Sequence, residues 1–259
     1  MRREMEVWKK LRHPNVLPFI GMFSVGHSTY LISPWMHNGD ALGYVKRNPN
    51  ADVVDLLMQA AQGLQYLHTQ NPPVVHGDLK GARSGPFHLI LLTLTRCEAC
   101  IADFGLSEVL EQVAAVETAE DSGNSTAWQV AGHPRWQSPE LLRAVSAEEA
   151  RRTTQSDIFA FGRVIIELLT GDLPFAEIAN NIAVVAMVIS GTLPERPKDA
   201  GVIARGLDDR MWGLVKECCE TRPDKRPSAE YVLNRLRAAL ESRKSSNGFG
   251  LRLRSFFTR

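Results

Sequence analysis

Apolar positions recur along the chain with two different periods, and the change of period locates the elements. Met5, Trp8 and Leu11 share one helical stripe, so residues 2–11 are predicted as an amphipathic helix that ends before Pro14 in Arg12-His13-Pro14-Asn15. Two short apolar runs follow, Val16 to Met22 and Tyr30 to Trp35, with Gly26 among the turn residues between them, which predicts a β-hairpin. Asn38-Gly39-Asp40 is a turn. Val53, Leu56, Leu57, Ala60, Leu64 and Leu67 obey the i, i+3, i+4, i+7 rule and predict a long helix ending near His68 with one buried face. Residues 157–169 are apolar almost all round, the pattern of a helix inside the domain. Met211 to Cys219 and Ser228 to Leu240 are also helical in pattern, the second with Ser228 as N-cap and Glu230 in its first turn. No repeat and no Gly/Ser- or Pro-rich linker divides the chain, so one domain body is expected, mainly α in its second half.

Composition narrows the function classes. With 44% hydrophobic and 23% charged residues among 259, the chain is an ordinary globular sequence. Its 30 Lys and Arg against 29 Asp and Glu leave a net charge of +1, so no global field points to nucleic acid. The longest uncharged apolar run, Leu89 to Leu94, is far short of the ~20 residues of a membrane span, and the charged start resembles no signal peptide. A soluble, cytoplasmic protein is expected. Four cysteines are too few for a disulfide scaffold, and Cys97-x-x-Cys100 lacks a second ligand pair for zinc, which leaves strand residues as the preferred reading. Residues 242–259 hold five basic residues and no acid, and are expected to form a flexible basic tail.

Three ordered motifs carry the chemistry: Val74-Val75-His76-Gly77-Asp78-Leu79-Lys80, Ala102-Asp103-Phe104-Gly105, and Gly132-His133-Pro134-Arg135-Trp136-Gln137-Ser138-Pro139-Glu140. Here the chain resembles the eukaryotic protein kinases, in particular their tyrosine-kinase-like Ser/Thr branch. Each motif alone is weak; their order along the chain is what makes the resemblance specific. It implies an α+β protein-kinase-like fold, ATP and Mg2+ as nucleotide and metal, and a protein substrate or signalling partner.

Transfer of a γ-phosphoryl group needs a carboxylate that orients the hydroxyl nucleophile and takes its proton, and the resemblance gives that role to Asp78. Lys80 then neutralises charge on the transferred group, and Asp103 holds Mg2+ against the phosphates. His76, Phe104 and Gly105 are implied as structural support. Glu140 resembles the glutamate that pairs with an arginine near the end of the domain, which places Arg226 as its partner. Asp157, at the start of the buried helix, is implied to fix the catalytic-loop backbone. Tyr30 to Met36 resembles the strand and hinge that hold adenine, with Ser33 as gatekeeper, Pro34 and Trp35 in the hinge, and the Met36 backbone as adenine partner. Glu4, nine residues before His13, matches the helix glutamate that faces the phosphate-binding lysine.

The sequence also departs from the pattern. No Gly-rich loop and no Val-Ala-Ile-Lys strand precede Glu4, so residues 1–36 are expected to form a remnant N-lobe and hinge, with residues 37–241 as the C-lobe. Arg83 stands where the family has the second metal-binding Asn, placing a cation where a divalent ion is held. Residues 84–96 contain no acid and resemble a replaced or inserted strand, β-rich and aggregation-prone. Gly77 takes the place of the arginine that clamps a phosphorylated activation loop, and His133 that of a Thr. The loop from Leu106 to Gln137 is long, acidic and polar; mobility is expected there, with Thr118, Ser122, Ser125 and Thr126 as candidate phosphosites. Two functions follow: ATP-dependent phosphorylation of protein Ser/Thr, with Tyr as an open possibility, or an impaired pseudokinase that acts as a protein-binding module.

Overall fold

The computed structural model describes residues 2–26, 28–81, 90–92, 98–104, 108–109 and 132–256. The chain opens with α1 (Arg2–Trp8) and the hairpin β1 (Gly21–Val25) and β2 (Ser28–Ile32). Helices α2 (Ala41–Arg47) and α3 (Val53–His68) follow, then the short strands β3 (Val74–Val75), β4 (Ile90–Leu92), β5 (Ala99–Ile101) and β6 (Glu108–Val109). The remainder is helical: α4 (Pro139–Arg143), α5 (Thr154–Thr170), α6 (Asn181–Ile189), α7 (Ala200–Arg205), α8 (Asp209–Cys218) and α9 (Ala229–Phe256). Among the described residues the strands form three two-stranded ladders, β1 with β2, β3 with β6 and β4 with β5, all antiparallel. This is the α+β class expected.

Helix α3 matches its periodicity, with Val53, Leu56, Leu57, Ala60, Leu64 and Leu67 all buried. Asp52 caps it by accepting from Asp55 N. Helix α5 starts three residues earlier than its apolar run, because Thr153 and Ser156 form a capping box; Gly171 ends it in the left-handed region. Every residue from Ser156 to Leu169 is buried, and α3, α8 and α7 pack around it. Helix α9 lies along α3, is capped by Ser228, which accepts from Tyr231 N, and continues to Phe256, beyond the Leu240 limit read from the pattern.

The hairpin pairs Gly21 with Ile32 and Val25 with Ser28, so its strands are not the runs Val16 to Met22 and Tyr30 to Trp35. Pro18 has no N–H to give a ladder and splits the first run. Its front half turns inward instead: Val16 bridges Ile101 in parallel, Leu17 N donates to Ile101 O at 2.8 Å, and Ile101 N donates to Asn15 O at 2.9 Å. This crossing needs Gly63, since a Cβ there would lie 2.4 Å from the Asn15 carbonyl oxygen. Residues 90–92 of the unusual segment pair with Ala99–Ile101. The other residues of 84–96, together with Arg83, Gly105, Cys97, the four candidate phosphosites and the Glu4 side chain, lie outside the described residues.

Candidate active site

The segment His76–Gly81 leaves β3 and crosses the buried face of α5, which fixes it with two carboxylates. Asp157, 1% exposed and in the first turn of α5 rather than at its opening, accepts His76 N on Oδ2 at 2.8 Å and Gly77 N on Oδ1 at 2.8 Å. Its Oδ2 also accepts from His68 Nε2 at 2.9 Å, which assigns the proton of that ring to Nε2. Ten residues on, Glu167 accepts Gly81 N at 2.8 Å and Trp136 Nε1 at 2.9 Å on the same Oε2. Arg152 Nε donates to Gly77 O at 2.8 Å. Buried carboxylates are stabilised by N–H donors that reach them: Asp157 receives two backbone N–H groups and a histidine on its two oxygens, and Glu167 receives a backbone N–H and an indole N–H on Oε2.

Between these two anchors stand Asp78 and Lys80, with Lys80 Nζ 2.8 Å from Asp78 Oδ2. The pair is mostly screened from water, at 10% and 16% side-chain exposure, which strengthens its attraction relative to a surface pair. Asp78 borders a cleft whose walls include Leu79, His133, Trp136, Gln137 and Leu141. His76 is fully buried: its Nε2 donates to Ala102 O at 3.0 Å and its Nδ1 accepts Asp78 N at 3.3 Å, so it ties this loop to the one that carries Asp103. Asp103 itself has φ +65°, a conformation disfavoured for a residue with a side chain and characteristic of functional loops.

An aromatic column extends from His76. Its ring lies 5.4 Å from Phe104, Phe104 lies 5.8 Å from Trp8, and Trp8 lies 5.3 Å from Phe19. Trp8 Nε1 donates to Leu17 O at 2.5 Å, which satisfies its one polar atom. Sequence reasoning placed Trp8 on a helix stripe and did not connect it to Phe104; the available signal was an aromatic residue on that stripe.

Glu140 and Arg226 form a two-pronged ion pair, Nη1 to Oε1 and Nη2 to Oε2, both at 2.7 Å. Arg226 also donates to the carbonyls of Gln155, Glu220 and Thr221 and lies over Phe159, so α4, α5 and the segment after α8 are locked by one guanidinium. Ser33 to Met36 form an extended link after β2. Ser33 Oγ donates to Pro34 O at 3.4 Å, Gly39 N donates to the Met36 carbonyl at 3.0 Å, and Trp35 is 79% exposed.

Electrostatics separate the titratable groups by function. Burial, followed by the nearby Arg135 and Lys80 charges, holds His133 below the usual histidine value, while Asp78 acts weakly the other way. Burial and Glu98 push the Cys100 thiol up to about 11, and burial raises Cys218 and Cys219, so these three free, buried cysteines are unreactive thiols. Among the described residues no group of three or more His, Cys, Asp or Glu could by itself hold a metal, and no helix is long and apolar enough to cross a membrane. Mg2+ is bound through one or two carboxylates together with substrate phosphates. Asp103 fits that role for one ion carried in with a nucleotide. At the position where the resemblance expects a second oxygen donor the sequence has Arg83, which lies outside the described residues.

The family model described as "Protein kinase domain" matches residues 1–236. A probable serine/threonine-protein kinase of Dictyostelium discoideum is 30% identical over 241 residues, 90% of this chain and 13% of that protein. The serine/threonine-protein kinase CTR1 of Arabidopsis thaliana is 28% identical over 246 residues, covering 93% and 26%, and A-Raf of Sus scrofa is 29% identical over 236 residues, covering 90% and 35%. The chain thus spans roughly an eighth to a third of the length of these relatives.

Proposed function

The chain belongs to the protein kinase domain family, with relatives in its tyrosine-kinase-like Ser/Thr branch, and we propose that it transfers the γ-phosphoryl group of ATP to Ser or Thr hydroxyls of a protein substrate. The family generally uses ATP with Mg2+ and implies protein substrates. The observation that carries the proposal is the Asp78–Lys80 pair on a loop pinned at both ends to α5. Asp78 accepts the hydrogen bond of the incoming hydroxyl and orients its lone pair; Lys80 keeps the carboxylate in place and offers a cation to the transferred group. Because phosphoryl transfer depends mainly on positioning, the rigid anchoring by Asp157 and Glu167 is the structural contribution to rate. Asp103 would hold Mg2+, which supplies neutralisation of phosphate charge. Three free, buried cysteines suit a reducing compartment, consistent with a cytoplasmic address.

Arg83 favours a second reading, a pseudokinase that binds partners through its helical surfaces, because a cation at that position opposes a second metal ion. One experiment separates the two. Purified chain with labelled ATP, Mg2+ and a Ser/Thr peptide mixture is expected to label the peptides, and Asp78→Asn is expected to abolish labelling. Nucleotide-independent partner binding with no labelling in the wild type selects the pseudokinase.

A further inference from the structure

The cleft that holds Asp78 contains a second titratable side chain with no part in the transfer described above. His133 lines that cleft, half-buried, with its ring edge-on to Trp136 at 5.1 Å and 79°. Its Nδ1 accepts Arg135 N at 3.4 Å, so the proton of the neutral ring sits on Nε2. Trp136 in turn donates to the Glu167 oxygen that also accepts Gly81 N, so the support of the His133 ring and the end of the catalytic loop share one atom.

Among the described residues, the charged groups that act on this ring or share its cleft are Arg135, Asp157, Lys80 and Asp78. Arg135 spends its guanidinium on the carbonyls of Pro174, Phe175 and Ile178. Asp157, also at the cleft, is occupied by His76 N, Gly77 N and His68. Among the described residues that leaves Asp78 as the anion and Lys80 as the competing cation, 2.8 Å from it. Asp78 and His133 line the same cleft, and the two charges act on the ring in opposite senses, Lys80 against its protonation and Asp78 in favour.

We propose that His133 is a positioning residue that makes the Asp78 cleft proton-sensitive: the neutral ring leaves the Asp78–Lys80 pair intact, and the imidazolium competes with Lys80 for the Asp78 carboxylate. Two cations facing one carboxylate draw its lone pairs away from an incoming hydroxyl. The functional consequence rests on the kinase reading; the coupling between His133 and Asp78 does not. Burial keeps the ring neutral at neutral pH, so the change occurs on acidification.

The test follows the carbon-13 shifts of His133 Cε1 and Asp78 Cγ in the full chain across pH 5 to 8, in the wild type and in His133→Asn and His133→Gln. The expected result is an inflection of Asp78 Cγ that coincides with the His133 titration and disappears in both variants; if Asn unfolds the chain, Gln alone decides. An Asp78 signal that stays flat while His133 titrates, or that keeps its inflection after substitution, overturns the proposal. In a parallel assay, phosphoryl transfer is expected to fall several-fold more on acidification in the wild type than in the variants. Absence of transfer at every pH would count against the kinase reading while the carbon shifts still decide the fate of His133.

Discussion

The β1–β2 hairpin and helix α5 are both strongly apolar, yet they differ in almost every physical respect. On the hairpin Met22, Phe23, Val25 and Tyr30 are exposed, Phe23 at 59%, whereas Phe161 on α5 is fully buried. Phe23 faces Tyr30 across the ladder, a cross-strand pair that stabilises by a fraction of a kcal/mol to about 1 kcal/mol and excludes little water. The contrast teaches that apolar content does not set stability; removal of surface from water does, at about 25 cal/mol per Å². A two-stranded ladder is marginal on its own, while α5 has neighbours on all sides.

The largest expected effect comes from breaking the polar side of α5. Asp157→Ala leaves His76 N, Gly77 N and His68 without their acceptor and is expected to cost about 3–5 kcal/mol in urea unfolding. Phe161→Ala should cost a similar amount, about 3–5 kcal/mol, through the cavity it opens, whereas Phe23→Ala should stay within about 1 kcal/mol. If the two Phe substitutions cost the same, the contrast between the regions fails.

Arg163 sharpens the comparison from the other direction. It is 1% exposed on α5, its Nε and Nη1 lack hydrogen-bond partners among the described residues, and its guanidinium lies 5.0 Å from both Phe159 and Phe175. Desolvation, the largest influence on it, opposes its charge, which two cation–π contacts offset only in part. Arg163→Met is therefore expected to raise stability by about 1–4 kcal/mol, seen as a higher midpoint in thermal melts. A lower midpoint would mean that the two rings more than offset desolvation.

A smaller effect concerns pH. His13, stacked on Tyr66 at 4.9 Å, is held below its ordinary value by burial. Its unfolded form therefore binds a proton first, so the stability it contributes is present above the unfolded value and declines as pH falls through that value towards the folded one. His13→Gln should flatten this part of the stability profile between pH 7 and 5. Hydrogen exchange completes the set: the amides of β1 and β2 should exchange quickly and those of α5 near the global limit.

How much of this was legible in the sequence depended on the range of the interactions. Helix α3 was readable because its burial repeats within one element. The hairpin register is not legible from the apolar runs, because such a run does not reveal which of its residues turn inward; the local signal is Pro18, which cannot donate to a ladder. Glu140 and Arg226 could be matched through the family resemblance, but the contacts of Arg226 with three further backbone carbonyls could not. The column from Phe19 through Trp8 and Phe104 to His76 joins segments far apart in the chain, and no local pattern encodes it.

The two carboxylates of α5 also act as a ruler. Ten residues of helix measure about 15 Å, and the chain from His76 to Gly81 is cut to that length, tied at each end to a rigid bar. Adding or deleting one residue inside this stretch must lift an end from its post.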